Sequence, residues 1–172
     1  MPICTAILPE FDAEMANTRK VLELVPDDNF AYRPHEKSMT MARLASHVAE
    51  LPSWAAEVLK KERLDLSPEQ KPFLAQSRAE LLDRFERNLK EARAAIESSR
   101  DEDYSVPWTL AVGGHTVFTI PRAAVLRTAV MNHLIHHRAQ LGVYLRLNQI
   151  PVPGLYGPSA DDQQAFFANA KA

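Results

Sequence analysis

The chain has 172 residues, 46% apolar and 24% charged, enough for one domain over 1–172 that buries roughly 70% of its unfolded surface without needing a structural metal or disulfide. Its 20 Lys and Arg against 22 Asp and Glu leave a net charge of −2, no basic surplus to neutralise a phosphate backbone, so nucleic acid is not an expected partner. A single cysteine (Cys4), a start without a positive n-region and no apolar run near the eighteen or so residues of a membrane span predict a soluble protein of the cytoplasm, with neither signal peptide nor internal disulfide.

In chain order, the first predicted helix runs from about Pro9 to Val25. Its apolar positions Phe11, Met15, Thr18, Leu22 and Val25 form one stripe, and Pro26 stops it. Residues 26–39 (PDDNFAYRPHEKSM) make a connection too long for a tight helix hairpin and predict a crossover. Thr40 then caps a second helix whose inner face carries Leu44, Val48, Leu51, Ala55, Val58 and Leu59. Pro52 lies inside it and removes the bond to the Val48 carbonyl, so a kink is expected there.

A third helix spans about Ser77 to Ser99, with a narrow stripe of Leu81, Phe85, Leu89, Ala92 and Ile96. Glu80/Arg84, Asp83/Arg87 and Glu86/Lys90 at i,i+4 mark its solvated face. Val106, Trp108, Leu110 and Val112 alternate ahead of Gly113-Gly114 and the run His-Thr-Val-Phe-Thr-Ile, which reads as a hairpin around a positive-φ turn. Pro121 opens the longest helix, ending near Leu147 with Asn148 in the left-handed region. A Pro/Gly tail with one short helix closes the chain. The sum is an all-α four-helix bundle with a long crossover connection and a small β-hairpin before the last helix.

Chemistry concentrates in the last helix, in Asn132-His133-Leu134-Ile135-His136-His137-Arg138. His133 and His137 are four apart, about 40° from each other on one face, a spacing that lets two imidazole nitrogens meet one ion. They share the stripe of Leu126, Val130, Leu141 and Tyr144, the buried side of the helix. His136 falls toward the edge of that face, which makes 133/136 the alternative pair. Packed or solvent-facing histidines are the plain alternative to a metal pair. His47 in the second helix lies among Leu44, Leu51, Trp54 and Val58. A buried imidazole needs a partner, and one ion shared by three inward histidines is more economical than three separate partners. Three neutral ligands leave coordination positions free, the pattern of a catalytic site.

Position 134 is Leu, so the His-Glu-x-x-His protease motif is excluded. Gly-x-Ser-x-Gly, Walker and Gly-rich dinucleotide sequences are absent, and the paired Glu-x-x-His elements of di-iron bundles are missing. Cys4 has no partner in sequence and reads as inert.

His47, the stretch Asn132-His133 … His137-Arg138-Ala-Gln140-Leu and the tail Val152-Pro-Gly-Leu-Tyr156-Gly-Pro resemble the DinB/YfiT-like family of metalloenzymes over nearly the whole chain. The resemblance implies a four-helix bundle, often a homodimer, holding one divalent ion (zinc, nickel or iron) through His47, His133 and His137. It also implies a small-molecule substrate, with hydrolysis or transfer of a low-molecular-weight thiol as the reaction. The alternative from a different class is a metal-binding, structural or sensing homodimer without catalysis. On the enzyme reading, the ion binds a water, hydroxide or thiolate in its open position and lowers its pKa.

Further candidates surround the three histidines. Glu50 is placed to accept the distal N–H of His47, or else is simply solvated. Arg138 is placed to pair with a carboxylate on a neighbouring helix or with an anionic substrate group. Trp54, Trp108 and Tyr144 are candidate pocket walls, and Pro52 a candidate for widening the bundle beside the ion.

Overall fold

The computed structural model describes residues 2–169. Helix α1 spans Ile3–Leu22, six residues earlier than Pro9 predicts. Pro9 sits in the second turn with its ring exposed, and Pro2 takes the starting role, its carbonyl accepting from the Thr5 and Ala6 amides. Ile3, Ile7 and Leu8 pack on the core, which favours extending the helix despite the bond that Pro9 removes. At the other end Leu24 and Val25 tighten into i→i−3 bonds before Pro26. The stripe Phe11, Met15, Thr18, Leu22 and Val25 is buried throughout.

The long connection carries a single 3₁₀ turn at Asp27–Asn29. Its Tyr32 and Phe30 carbonyls accept from the Met41 and Ala42 amides at 2.7 and 3.0 Å, satisfying first-turn donors that a helix leaves orphaned. Helix α2 (Met41–Glu50) is capped by Thr40, whose Oγ1 accepts from the Arg43 amide at 3.2 Å. The expected break falls at Leu51–Pro52, and α3 (Ser53–Lys60) continues the rod.

Strand β1 (Arg63–Leu66) follows, then α4 (Arg78–Glu97), whose cap Ser77 accepts from the Glu80 amide. Of the three predicted surface pairs only Asp83–Arg87 closes, at 2.9 Å. Glu86 pairs with Arg19 across to α1, and Glu80 accepts from the Gln76 amide. Strands β2 (Pro107–Val112) and β3 (His115–Pro121) form the predicted hairpin, with Gly113 and Gly114 at φ 56° and 82°.

Two features of the sheet depart from the sequence reading. β1 adds in parallel to β2, giving the order β1-β2-β3, so the fold is mostly helical with a small three-stranded sheet rather than all-α. In the charged stretch around β1 only Leu64 and Leu66 alternate, too short a pattern to read as a strand. A bulge between Leu110 and Ala111 also shifts the phase of β2. Trp108 and Ala111 are buried while Val112 is exposed.

The last predicted helix is continuous but not uniform. α5 (Arg122–Val125) runs into π-helical turns over Leu126–Asn132 and then α6 (His133–Leu147). Residues 122–134 contain no proline or glycine, so nothing marks the widening in the sequence. After α6 the positive-φ residue is Gln149 (φ 61°), not Asn148. The Asn148 side chain instead donates to the Tyr144 carbonyl at 2.8 Å. Helix α7 (Ala160–Asn169) ends the described chain.

α1, α2–α3, α4 and α5–α6 enclose one core built around Phe11, Leu44, Leu81, Phe85, Trp108 and Leu141. No helix among the described residues is long and apolar enough to cross a membrane.

Candidate metal centre

α2 and α6 are packed neighbours, and each presents histidine toward the other. The break at Pro52 lies more than a turn beyond His47, so that ring is carried by regular helix. His133 is the first residue of α6, directly after the widened turns, and His137 follows one turn later. Wide turns of this kind recur at functional sites.

The three rings converge. His133 Nε2 lies 3.3 Å from His47 Nε2 and 2.9 Å from His137 Nε2. Ring centroids are 4.7–5.0 Å apart and the planes cross at 53–74°, so the rings meet at their edges and do not stack. Nitrogens bonded to one ion at 2.0–2.1 Å and 90–109° would stand roughly 2.9–3.4 Å apart. The spacing fits a single transition-metal ion. His136 is exposed and outside the cluster, its ring 4.9 Å from that of His137, which leaves 133/137 as the converging pair.

Neighbouring acceptors fix the direction of two rings. His133 Nδ1 donates to the Ala129 carbonyl at 3.3 Å, inside the π-helical segment, and His137 Nδ1 donates to Gln140 Oε1 at 2.7 Å. A proton held on Nδ1 leaves the Nε2 lone pair facing the common point. Replacing Gln140 with leucine is expected to weaken zinc binding about 10–100-fold by isothermal titration, with helix content unchanged.

Electrostatics point the same way. Burial, then His137 and His133, then the Arg43 cation push the His47 pKa down to about 3. Burial is also the main cause lowering His133 and His137. All three rings are therefore neutral donors at pH 7. Because the native rings hold fewer protons than unfolded ones, this cluster favours the fold above about pH 6.5 and loses that contribution as pH falls toward about 3. The urea midpoint of metal-free protein should therefore drop more between pH 7 and 4.5 than that of a His47→Leu variant. Equal drops would show that the cluster does not govern acid sensitivity.

Several nearby expectations change. Among the described residues no hydrogen bond joins Glu50 to His47. Glu50 is half-buried, faces Arg43 at 3.7 Å, and burial raises its pKa. Arg138 takes the first of its two expected partners, a carboxylate on a neighbouring helix: it is 1% exposed and paired with Glu14 of α1, which leaves it unavailable to a substrate. Of the aromatics, only Trp54 borders the cavity beside His47. Trp108 is fully buried against Phe118, and Tyr144 meets Tyr32 edge-on and donates to the Met39 carbonyl. Cys4 is unpaired and partly buried. Sequence reasoning passed over Arg43, one turn before His47; the i,i+4 spacing on α2 is the signal that marks it.

That cavity, about 380 Å³, opens along α2 and is lined by Arg43, His47, Glu50 and Trp54 among others. It is large enough for one small molecule.

The sequence matches the model of the DinB family over residues 3–170. Two solved structures of DinB-like proteins share the fold. One, from Bacillus subtilis, aligns with TM-score 0.67 at 21% identity, covering 87% of this chain and 97% of that one. The other, from Bacillus cereus, aligns with TM-score 0.66 at 21% identity, covering 87% and 95%. A search of curated proteins gave no match.

Proposed function

Because the chain belongs to the DinB family, we propose that it is a metal-dependent enzyme acting on a small molecule, with His47, His133 and His137 holding one divalent ion in a four-helix bundle. The observation that carries this reading is the convergence of three Nε2 atoms at spacings of 2.9 and 3.3 Å. Zinc, nickel and iron all accept imidazole nitrogen. Such an ion supplies Lewis acidity at the positions that three imidazoles leave open.

This chain's own residues provide the setting. Gln140 and the Ala129 carbonyl hold two rings in the donor tautomer, and burial keeps all three unprotonated at neutral pH. The cavity brings a small molecule to His47, one ring of the cluster. Hydrolysis and transfer of a low-molecular-weight thiol are both reactions that an open, neutral-ligand site supports. A metal-binding homodimer without catalysis is the second reading. It draws on Phe166 and Phe167 of α7, 68% and 60% exposed, as a surface for a second copy.

Elemental analysis of the purified protein tests the site. The wild-type chain is expected to carry about one divalent ion. His47→Ala and His137→Ala are expected to lower that occupancy severalfold while helix content by circular dichroism stays near wild type. Unchanged occupancy in both variants would refute the assignment.

A further inference from the structure

We propose that the cavity lined by His47 binds a small organic carboxylate, and that Arg43 is the residue that reads its charge. This deepens the metal-enzyme reading and rests on it.

Arg43, His47 and Glu50 occur at i, i+4 and i+7 on α2, one helical face. Together with Ser53, Trp54 and Leu66 they line the 380 Å³ cavity. The Arg43 guanidinium is under-partnered within the fold. Its NH1 group is shielded from solvent yet has no hydrogen-bond acceptor, a state that native proteins rarely leave unfilled. Its nearest carboxylate oxygen, Glu50 Oε2, stands 3.7 Å away, beyond hydrogen-bond distance.

The charge balance specifies the sign. Glu50 is the one acid among the lining residues and Arg43 the one fixed cation, so they offset each other. Neutral imidazoles bring no negative charge. An ion held by them therefore keeps its double positive charge uncompensated near His47, the residue that the cluster and the cavity share, and an anionic ligand supplies what the protein does not. The guanidinium fork matches the plane of a carboxylate with two parallel N–H···O bonds. Trp54 and Leu66 offer apolar wall to the rest of the molecule, so the ligand is an organic acid and not a bare inorganic anion.

The full chain loaded with Co(II), whose visible absorption reports changes around the ion, tests this. Benzoate is expected to shift the cobalt bands saturably, and benzamide, its neutral counterpart, to leave them unchanged at tenfold higher concentration. Arg43→Met should weaken benzoate by about tenfold or more at unchanged cobalt content, and Arg43→Lys should recover part of the loss. Equal binding of benzamide and benzoate, wild-type benzoate affinity in Arg43→Met, or a spectrum unmoved by acetate, benzoate and phenylacetate alike would overturn the proposal while leaving the metal site standing. Failure of the wild-type chain to bind cobalt, or equal cobalt in His47→Ala, would remove the underlying reading instead.

Discussion

Replacing Arg138 with methionine is expected to cost about 3–5 kcal/mol of stability, read as a lower urea midpoint. The guanidinium donates to Glu14 Oε2 at 2.6 Å, to the Glu14 carbonyl at 2.9 Å and to Thr18 Oγ1 at 3.1 Å. Tyr156, from the tail, donates to the same Glu14 oxygen at 2.7 Å. One side chain thereby ties α6 to α1 and to the Pro/Gly tail. The truncation removes the cation but leaves Glu14, 7% exposed, as a carboxylate with no countercharge. Much of the expected loss is that penalty and not the value of the pair. The double variant Arg138→Met/Glu14→Leu should accordingly lose less than the single variant. A double variant no better than the single one would show that geometry, not the stranded charge, sets the cost.

Replacing His133 with alanine has the second large effect, and its size depends on metal. His133 Nε2 lies within 3.3 Å of the Nε2 atoms of both others, so its loss leaves His47 and His137 without the nitrogen that bridges them. With zinc at a hundredfold excess over its dissociation constant, wild-type protein should gain about 2.7 kcal/mol and the variant essentially nothing. Without zinc the two should agree within about 1 kcal/mol, because the wild-type rings hold their mutual crowding with no ion to resolve it. The remaining histidines should also titrate closer to 6.5, since part of what lowers His47 is the neighbouring ring of His133. Urea denaturation with and without zinc measures both. A zinc-dependent gain surviving in the variant would exclude His133 as a ligand.

Much of this site was legible in sequence because its signals are helical periodicities. The 133/137 spacing and the place of His47 on an apolar stripe follow from 3.6 residues per turn, and the coordinates bring those three rings together. Thr40 and the Gly113-Gly114 pair were readable for a similar reason, each being local chemistry that one or two residues determine. What escaped depends on partners distant in sequence. β1 exists because β2 offers it a ladder, with Thr109 and Gly113 donating to the Glu62 and Leu66 carbonyls. The carboxylate expected for Arg138 went unidentified because it lies 124 positions away. Glu86 passed over Lys90 for Arg19 because tertiary packing put a better-placed cation across the groove. The early start of α1 belongs here too, since apolar contacts of Ile3, Ile7 and Leu8 outweigh a local proline signal.

The π-helical turns over Leu126–Asn132 hold one residue more than an ordinary helix needs to cover the same rise. Val125 before them and Leu134 after them are both fully buried, so each flank is keyed to its own neighbours. A one-residue change in the regular helix on either side would rotate one flank against the other by about 100°, whereas the widened turns absorb theirs. Either the hairpin side would leave its seat, or the imidazole pair would swing off its target. The widened turns thus work as an azimuthal shim, taking up a surplus residue while both flanks keep their seats.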